Sequence, residues 1–142
     1  MNRIVKTVSC IFVLILLCTS CSGRKTARDY ARSKAVDFGM AVSTGDLSQK
    51  KNSRIITENS TIIVAENCMK WANLHPNKTF WNWSDVDNLV SFAEKNHMAV
   101  KWHTLFWHNQ NPGFLSSIKT KEEAETMMDL YIKTIMERYK GR

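Results

Sequence analysis

The chain has 142 residues, of which 44% are hydrophobic, and its 20 basic and 13 acidic side chains give a formal charge of +7. Much of the positive excess lies in one short stretch. No recognition helix, zinc-ligand spacing or aromatic RNA-reading motif accompanies it, so we expect no nucleic-acid partner. The basic side chains of this stretch are Arg24, Lys25, Arg28, Arg32 and Lys34.

Residues 1–21 have the pattern of a bacterial export signal that ends in a lipidation cysteine. Arg3 and Lys6 precede an apolar run over residues 11–17, and two small residues lead into Cys21. The run is too short to span a bilayer permanently. A truncated transmembrane anchor is the alternative, and it is disfavoured because Cys21 lies where a signal would be cleaved. We therefore predict an exported protein anchored through Cys21 to a cell-envelope membrane, in the periplasm or on the outer-membrane surface.

Residues 22–36 follow this cysteine and are predicted to form a basic tether, solvated close to anionic lipid headgroups. No disulfide framework is expected, because Cys10 and Cys18 would leave with the signal and Cys21 would carry lipid. Only Cys68 would stay in the folded part. We interpret it as a small buried hydrophobic residue rather than a reactive thiol.

Short apolar runs and helical patterns alternate along the rest of the chain. Residues 38–42 are predicted to form a buried strand that ends in a polar turn, and a helical segment follows around residues 47–58. Residues 61–65 are mostly apolar and β-branched, at odd and even positions alike. This pattern favours a strand covered on both faces, as in a parallel sheet.

Two capping boxes indicate the starts of two later helices. Ser84 with Asp87, and Thr120 with Glu123, each have the three-residue spacing that satisfies the first amide groups of a helix. Residues 98–102 form a third strand candidate between these helices. The resulting order of strand and helix, repeated three times, predicts an α/β fold with right-handed crossover connections in a parallel sheet.

A cluster of polar side chains directly follows the second predicted strand, where ligands bind in parallel α/β folds. Glu66, Asn67 and Lys70 supply a carboxylate, an amide and an ammonium group. This mixture of donors and acceptors can bind the vicinal hydroxyl groups of a sugar. The alternative interpretation is an i,i+4 surface ion pair between Glu66 and Lys70 on a helix.

A second polar and aromatic cluster follows the third predicted strand. Trp107 lies in a loop between two histidines and is interpreted as a platform for a sugar ring, whereas most of the other tryptophans are expected in the core. His103 is predicted to hydrogen-bond a sugar hydroxyl through its neutral ring. A zinc site is disfavoured because His103 and His108 are five residues apart and lack a third ligand at diagnostic spacing, so we expect no metal and no cofactor.

Three stretches, two of them in these clusters, resemble the motifs of glycoside hydrolase family 10, the endo-β-1,4-xylanases. They read ENCMKW, WNWSDVD and WHTLFWHNQNP, and the order and spacing of the motifs also fit. The resemblance extends from about Phe38 to Arg142. It implies that residues 37–142 form the first three strand–helix units of a (β/α)8 barrel, which is incomplete in this chain.

The resemblance also implies a substrate and a set of binding residues. Glu66, Asn67 and Lys70 would bind the glycone-side units of xylan or a xylo-oligosaccharide. The residues expected beside the scissile bond are His103, Trp107 and Gln110. The chain departs from the family in having Lys101-Trp102 where Arg-Gly usually precedes the histidine, which changes the local backbone approach.

Members of this family are retaining glycosidases, in which one glutamate is the acid/base and a second, about 5 to 5.5 Å away, is the nucleophile. The resemblance places both beyond Arg142, so no catalytic residue is assigned in this chain. Other glutamates are interpreted mainly as solvated helical surface; they are Glu58, Glu94, Glu122, Glu123, Glu125 and Glu137.

A complete eightfold barrel needs about 250 residues. We therefore favour the amino-terminal part of a truncated, lipid-anchored xylanase as the interpretation of this sequence. Two alternatives stay open at this stage. One is a non-catalytic xylan-binding lipoprotein, and the other is a decayed reading frame without function.

Overall fold

The structure is a computed structural model that describes residues 24–142. The predicted export signal and Cys21 lie outside the described residues. The helices are α1 (Ala27–Ser33), α2 (Thr44–Ser48), α3 (Lys50–Asn59), α4 (Trp71–Leu74), α5 (Ser84–Lys95) and α6 (Lys121–Arg138). The strands are β1 (Gly39–Val42), β2 (Ile62–Ala65) and β3 (Ala99–Lys101), and a 3₁₀ helix spans Gly113–Ser117.

The three strands form one parallel sheet in the order β1-β2-β3, which confirms the parallel α/β prediction. Gly39 of β1 lies opposite Ile62 of β2, and Val64 of β2 lies opposite Lys101 of β3. Because neighbouring strands point the same way, their carboxyl ends meet at one edge of the sheet. The segments that follow each strand therefore start side by side.

The main core lies between the sheet and the helices. Ile63 and Ala65 of β2 are buried and point to the same side of the strand. The apolar stripe of α5 packs there too, since Val86, Leu89, Val90 and Ala93 are all buried. From α6, the core receives Tyr131 and Ile135. The helical segment predicted around residues 47–58 is divided in the structure into α2 and α3.

One of the two capping boxes is confirmed and the other is wrong. Thr120 accepts a hydrogen bond from the Glu123 amide, and the Glu123 carboxylate accepts one from the Thr120 amide. Ser84, by contrast, is already inside α5, whose N-cap is Trp83 with no side-chain cap. The Asp87 carboxylate instead accepts hydrogen bonds from α6 and the residue after it, so tertiary contacts replaced the local box.

The prediction of a solvated tether over residues 22–36 is wrong for α1, which is a capped helix packed on the body of the protein. Thr26 and Asp29 form a capping box, and Ala31 is buried. The Arg28 guanidinium donates to the main-chain oxygens of Thr57 at 2.7 Å, Asn96 at 2.5 Å and His97 at 2.9 Å. Arg28 thus joins α1 to the carboxyl ends of α3 and α5, where helix carbonyls lack intrahelical partners.

Two ion pairs attach the last residues to α5. Arg138 contacts Asp87 and packs over the Trp83 ring, with 4.6 Å from its guanidinium carbon to the ring centroid. Arg142 contacts Glu94 at 2.6 Å. Among residues 24–142, no helix has both the length and the apolar character needed to cross a bilayer.

Candidate functional site

Three predicted binding residues line one open hollow at the carboxyl edge of the sheet. Glu66 directly follows β2 and His103 lies two residues after β3, and both face this hollow of about 360 Å³. Lys70 lines it as well. The full lining is Ala41, Val64, Ala65, Glu66, Lys70, Lys101 and His103. The register of the parallel strands therefore brings together side chains that are more than thirty positions apart in the sequence.

Lys70 is held in place by the Glu66 main-chain oxygen and the Asn67 side chain, and not by the Glu66 carboxylate. It is the N-cap residue of α4, and its Nζ donates to the Glu66 carbonyl and, at 3.3 Å, to Oδ1 of Asn67. The ammonium group also lies 5.6 Å from the centroid of the Trp107 ring. The ion-pair alternative is therefore wrong for the described part of the chain, where Glu66 forms no salt bridge. Its carboxylate is exposed and available to accept hydrogen bonds from a ligand.

Asn67 links the loops that follow β2 and β3. Its Oδ1 accepts a hydrogen bond from Nε2 of Gln110 at 3.4 Å, and its main-chain oxygen accepts one from Nδ2 of Asn73 at 2.9 Å. The main-chain oxygen of Gln110 in turn accepts from the Ala72 amide at 2.9 Å. Sequence reasoning missed the positioning role of Asn73, because an asparagine in a short helix carries no local signal of such a contact.

Trp107 is the exposed tryptophan of the site, with 43% of its surface accessible. Asn111 fixes its loop by donating to the Trp107 main-chain oxygen at 2.8 Å. Trp71 behaves differently, since it is 6% exposed and stacks on Tyr131 with ring centroids 4.5 Å apart. Trp81 stacks against the buried His75 ring at 4.0 Å. Trp107 is therefore the one exposed tryptophan among residues 24–142, and an exposed indole face can stack on a sugar.

The nearby histidines and the cysteine do not form a metal site within the described residues. No group of three His, Cys, Asp or Glu side chains between residues 24 and 142 is arranged to hold a metal ion. His108 contacts the Asn109 amide at 3.1 Å and lies outside the hollow. Burial raises the pKa of the Cys68 thiol to about 11, with a smaller contribution from Asp85. The thiol is thus protonated at neutral pH, in agreement with the prediction that it is unreactive.

The six predicted binding residues form one continuous group at this edge of the sheet. Hydrogen bonds or ring contacts connect Asn67, Lys70, Trp107 and Gln110, and the hollow beside them contains Glu66 and His103. The group offers hydrogen-bond donors and acceptors next to an exposed indole face. Its hollow is lined by a single carboxylate, so among the described residues it lacks the pair of acids that retaining hydrolysis needs.

The chain is similar to known proteins along most of its length. The sequence profile described as Glycosyl hydrolase family 10 matches residues 26–142, a span that includes α1. The chain is 36% identical over 105 residues to Endo-1,4-beta-xylanase 3 of Hypocrea jecorina, covering 74% of this chain and 30% of that protein. It is 30% identical over 143 residues to Endo-1,4-beta-xylanase B of Thermotoga neapolitana, covering 96% of this chain and 41% of that protein.

Solved structures give the same result. Xylanase 10B from Thermotoga petrophila RKU-1, determined with xylobiose, superposes with a TM-score of 0.76 at 32% identity and covers 84% of this chain. The match spans 38% of that structure. This confirms the prediction that the three strand–helix units are part of a (β/α)8 barrel, with an open sheet in this chain. The sequence profile, the relatives and the structural match agree, and the chain belongs to glycosyl hydrolase family 10.

Proposed function

We propose that this chain is the xylan-binding part of an endo-1,4-beta-xylanase that hydrolyses its substrate with retention. The observation that carries the proposal is the grouping of six polar and aromatic side chains at one edge of the sheet. The relatives and the xylobiose complex support xylan as the ligand class.

Each residue has a role that its surroundings support. The exposed Glu66 carboxylate accepts hydrogen bonds from sugar hydroxyls, and the Lys70 ammonium group donates to them with the proton its two protein contacts leave free. Asn67 donates through its amide. Trp107 stacks on the apolar face of a xylose ring, and His103 and Gln110 border the next ring.

Bond cleavage needs a glutamic acid to protonate the leaving oxygen and a glutamate to attack the anomeric carbon. The hollow contains Glu66 alone as a carboxylate, and we assign it to binding. The chain spans less than half the length of the relatives described above. We place the catalytic pair in the part of such a longer protein that corresponds to the segment after Arg142.

Titration calorimetry of the 142-residue chain with xylotriose, and with cellotriose for comparison, tests the proposal. We expect xylotriose to bind and Lys70→Met to lower its affinity about tenfold, the effect of losing a hydrogen bond from a charged donor. The matched control is Lys133→Met, because Lys133 is an exposed residue of α6 remote from the hollow. Folded protein that releases no heat with xylotriose would refute the binding role. Release of reducing sugar from xylan by this chain alone would refute the assignment of the catalytic pair.

We also propose that the protein is exported and anchored in the cell envelope through a lipid on Cys21. Support comes from the sequence, in which Arg3, Lys6 and an apolar run precede this cysteine. Expression in a bacterium supplied with labelled fatty acid tests the anchor. Label should appear on the wild-type protein and be absent from Cys21→Ser, whereas Cys68→Ser should retain it. Equal labelling of the wild type and Cys21→Ser would contradict the proposal.

A further inference from the structure

The amino-terminal edge of the sheet carries a surface that the proposed xylan site does not use. α1 lies at this edge, because the Arg28 guanidinium donates to main-chain oxygens at the ends of α3 and α5, directly before β2 and β3. The Val36 amide donates to the Ala31 carbonyl of α1 at 3.0 Å, which folds the residues after α1 back onto the helix. We name residues 24–38 the basal surface.

Three large apolar side chains of the basal surface are exposed. Tyr30, Val36 and Phe38 have 58%, 57% and 48% of their surface accessible. Tyr30 belongs to α1 and the other two lie between α1 and β1, so all three fall within one short stretch of the chain. Single exposed apolar side chains are ordinary on protein surfaces, but a group of them marks a contact with a partner or a membrane.

The basal surface is also positively charged. Its two acids are occupied within the fold, since Asp29 accepts hydrogen bonds from Thr26 and Asp37 accepts one from the Thr61 hydroxyl. Five basic and two acidic side chains give residues 24–38 a formal charge of +3. Positive charge without an ion-pair partner is complementary to a surface of negative charge. Four of the five cations are exposed and form no salt bridge with any of residues 24–142; they are Arg24, Lys25, Arg32 and Lys34.

The proposed lipid anchor keeps the basal surface close to a bilayer. Arg24 is three positions after Cys21, so the chain between them allows a separation of at most about 11 Å. The Debye length is about 10 Å at 0.1 M salt, so salt screens the attraction between this region and anionic headgroups only in part. Each cation held at an anionic lipid surface favours the bound state by a factor of roughly five.

We propose that the basal surface lies on the anionic lipid headgroups of the bilayer that carries the anchor. Its cations contact the phosphate groups, and Tyr30, Val36 and Phe38 reach the boundary with the acyl chains. This inference rests on the proposed anchor at Cys21. Because Glu66 and His103 lie at the carboxyl edge of the sheet, opposite to the basal surface, this orientation turns the xylan site away from the membrane and toward a polymeric substrate.

Hydrogen–deuterium exchange tests the orientation on the full 142-residue chain, purified in detergent from the bacterium that expresses it and reconstituted in two kinds of vesicle. One contains phosphatidylcholine alone, and the other contains equal amounts of phosphatidylcholine and phosphatidylglycerol. We expect the amides of residues 34–38 to exchange at least about fivefold more slowly in the anionic vesicles, the effect of one cation at the surface. High salt should remove this difference. Residues 107–111, at the carboxyl edge, should exchange equally in both.

Arg32→Glu combined with Lys34→Glu should abolish the slower exchange in anionic vesicles. The matched control is Lys50→Glu combined with Lys51→Glu, because these exposed lysines begin α3, at the end remote from α1, and it should retain the difference. The wild-type comparison between the two lipids needs no variant, so a folding defect in a variant cannot hide the result.

The outcomes separate the basal surface from the anchor. Equal exchange of residues 34–38 in the two kinds of vesicle, with folded wild-type protein attached to both, would overturn this inference and leave the anchor intact. Slower exchange that persists in the folded Arg32→Glu, Lys34→Glu protein would overturn it as well. Wild-type protein that does not sediment with the phosphatidylcholine vesicles would contradict the anchor, and this inference would be abandoned with it.

Discussion

The side-chain amide of Gln110 donates to Oδ1 of Asn67 at 3.4 Å, and this contact joins the loop after β3 to the loop after β2. The same Oδ1 accepts a hydrogen bond from Nζ of Lys70 at 3.3 Å. Because its oxygen is occupied twice by protein donors, the Asn67 amide can turn only its nitrogen toward a ligand. Gln110 therefore orients the Asn67 amide, in addition to the sugar contact proposed for it.

A double-mutant cycle measures this coupling. Asn67→Ala and Gln110→Ala should each weaken xylotriose binding, and the double variant should lose less than the sum by about 1 kcal/mol, because the first substitution already removes the shared hydrogen bond. Calorimetry of the four proteins gives the coupling energy. A second cycle between Asn67 and Lys133, an exposed residue of α6 outside this group, should show no coupling. Additive losses in the first cycle would mean that the two side chains act independently.

The location of the candidate site could be predicted from the sequence because it depends on a simple rule of the fold. Glu66 and His103 each lie next to a strand end, and parallel strands place their ends at one edge. No long-range contact had to be known in advance. The apolar runs that predicted β1, β2 and β3 were equally local signals, as was the Thr120 capping box of α6.

Other features depend on contacts that no local pattern reveals. Residues 84–87 match a capping box, yet Asp87 bonds to Arg138, which is 51 positions away, and the box does not form. Residues 24–34 read as a solvated basic stretch because five of their side chains are cationic. Arg28 instead contacts Asn96 across 68 positions, and that tertiary contact stabilises α1.

Arg28 is expected to stabilise the whole fold. Arg28→Ala removes three hydrogen bonds to helix-end carbonyls, and we expect it to lower the free energy of unfolding by about 2 kcal/mol. Arg28→Lys should recover only part of the loss. The lysine ammonium group keeps the charge, but it cannot reproduce the planar arrangement of donors in the guanidinium group. Urea unfolding followed by circular dichroism provides the measurement. Arg32→Ala is the control, because Arg32 is an exposed residue of α1. Equal effects of Arg28→Ala and Arg32→Ala would show that Arg28 stabilises the protein through its charge alone and not through its hydrogen bonds.

The Asp87 and Arg138 pair should make stability depend on pH in the acid range. Hydrogen bonding by Arg138 holds the pKa of the Asp87 carboxyl below its usual value, with a smaller contribution from Tyr139. A carboxyl whose pKa is lower in the folded state stabilises the protein above its unfolded pKa, about 3.9, and this stabilisation is lost as the pH falls through the folded pKa.

Asp87→Asn should therefore cost about 0.5 to 1 kcal/mol of unfolding free energy at pH 7, a value reduced by solvent screening of the partly exposed pair. The difference from the wild type should shrink below pH 4. Urea unfolding at pH 7, 5 and 3 measures it, with Asp129→Asn of the exposed pair on α6 as the control. A difference that grows as the pH falls would have the wrong sign for this mechanism.

Gly39 of β1 has no room for a side chain. A Cβ atom built on Gly39 would lie 1.6 Å from the main-chain oxygen of Ile62, so β1 and β2 could not keep their spacing. Gly39→Ala should reduce the free energy of unfolding by about 3 kcal/mol or more, at the upper end of the cost of overpacking. Gly113→Ala is the matched control, because its added Cβ meets no atom within 4 Å, and its effect should stay within about 0.5 kcal/mol. Thermal melts of both variants against the wild type measure the difference. A Gly39→Ala protein that melts like Gly113→Ala would mean that the two strands are spaced further apart than this structure has them.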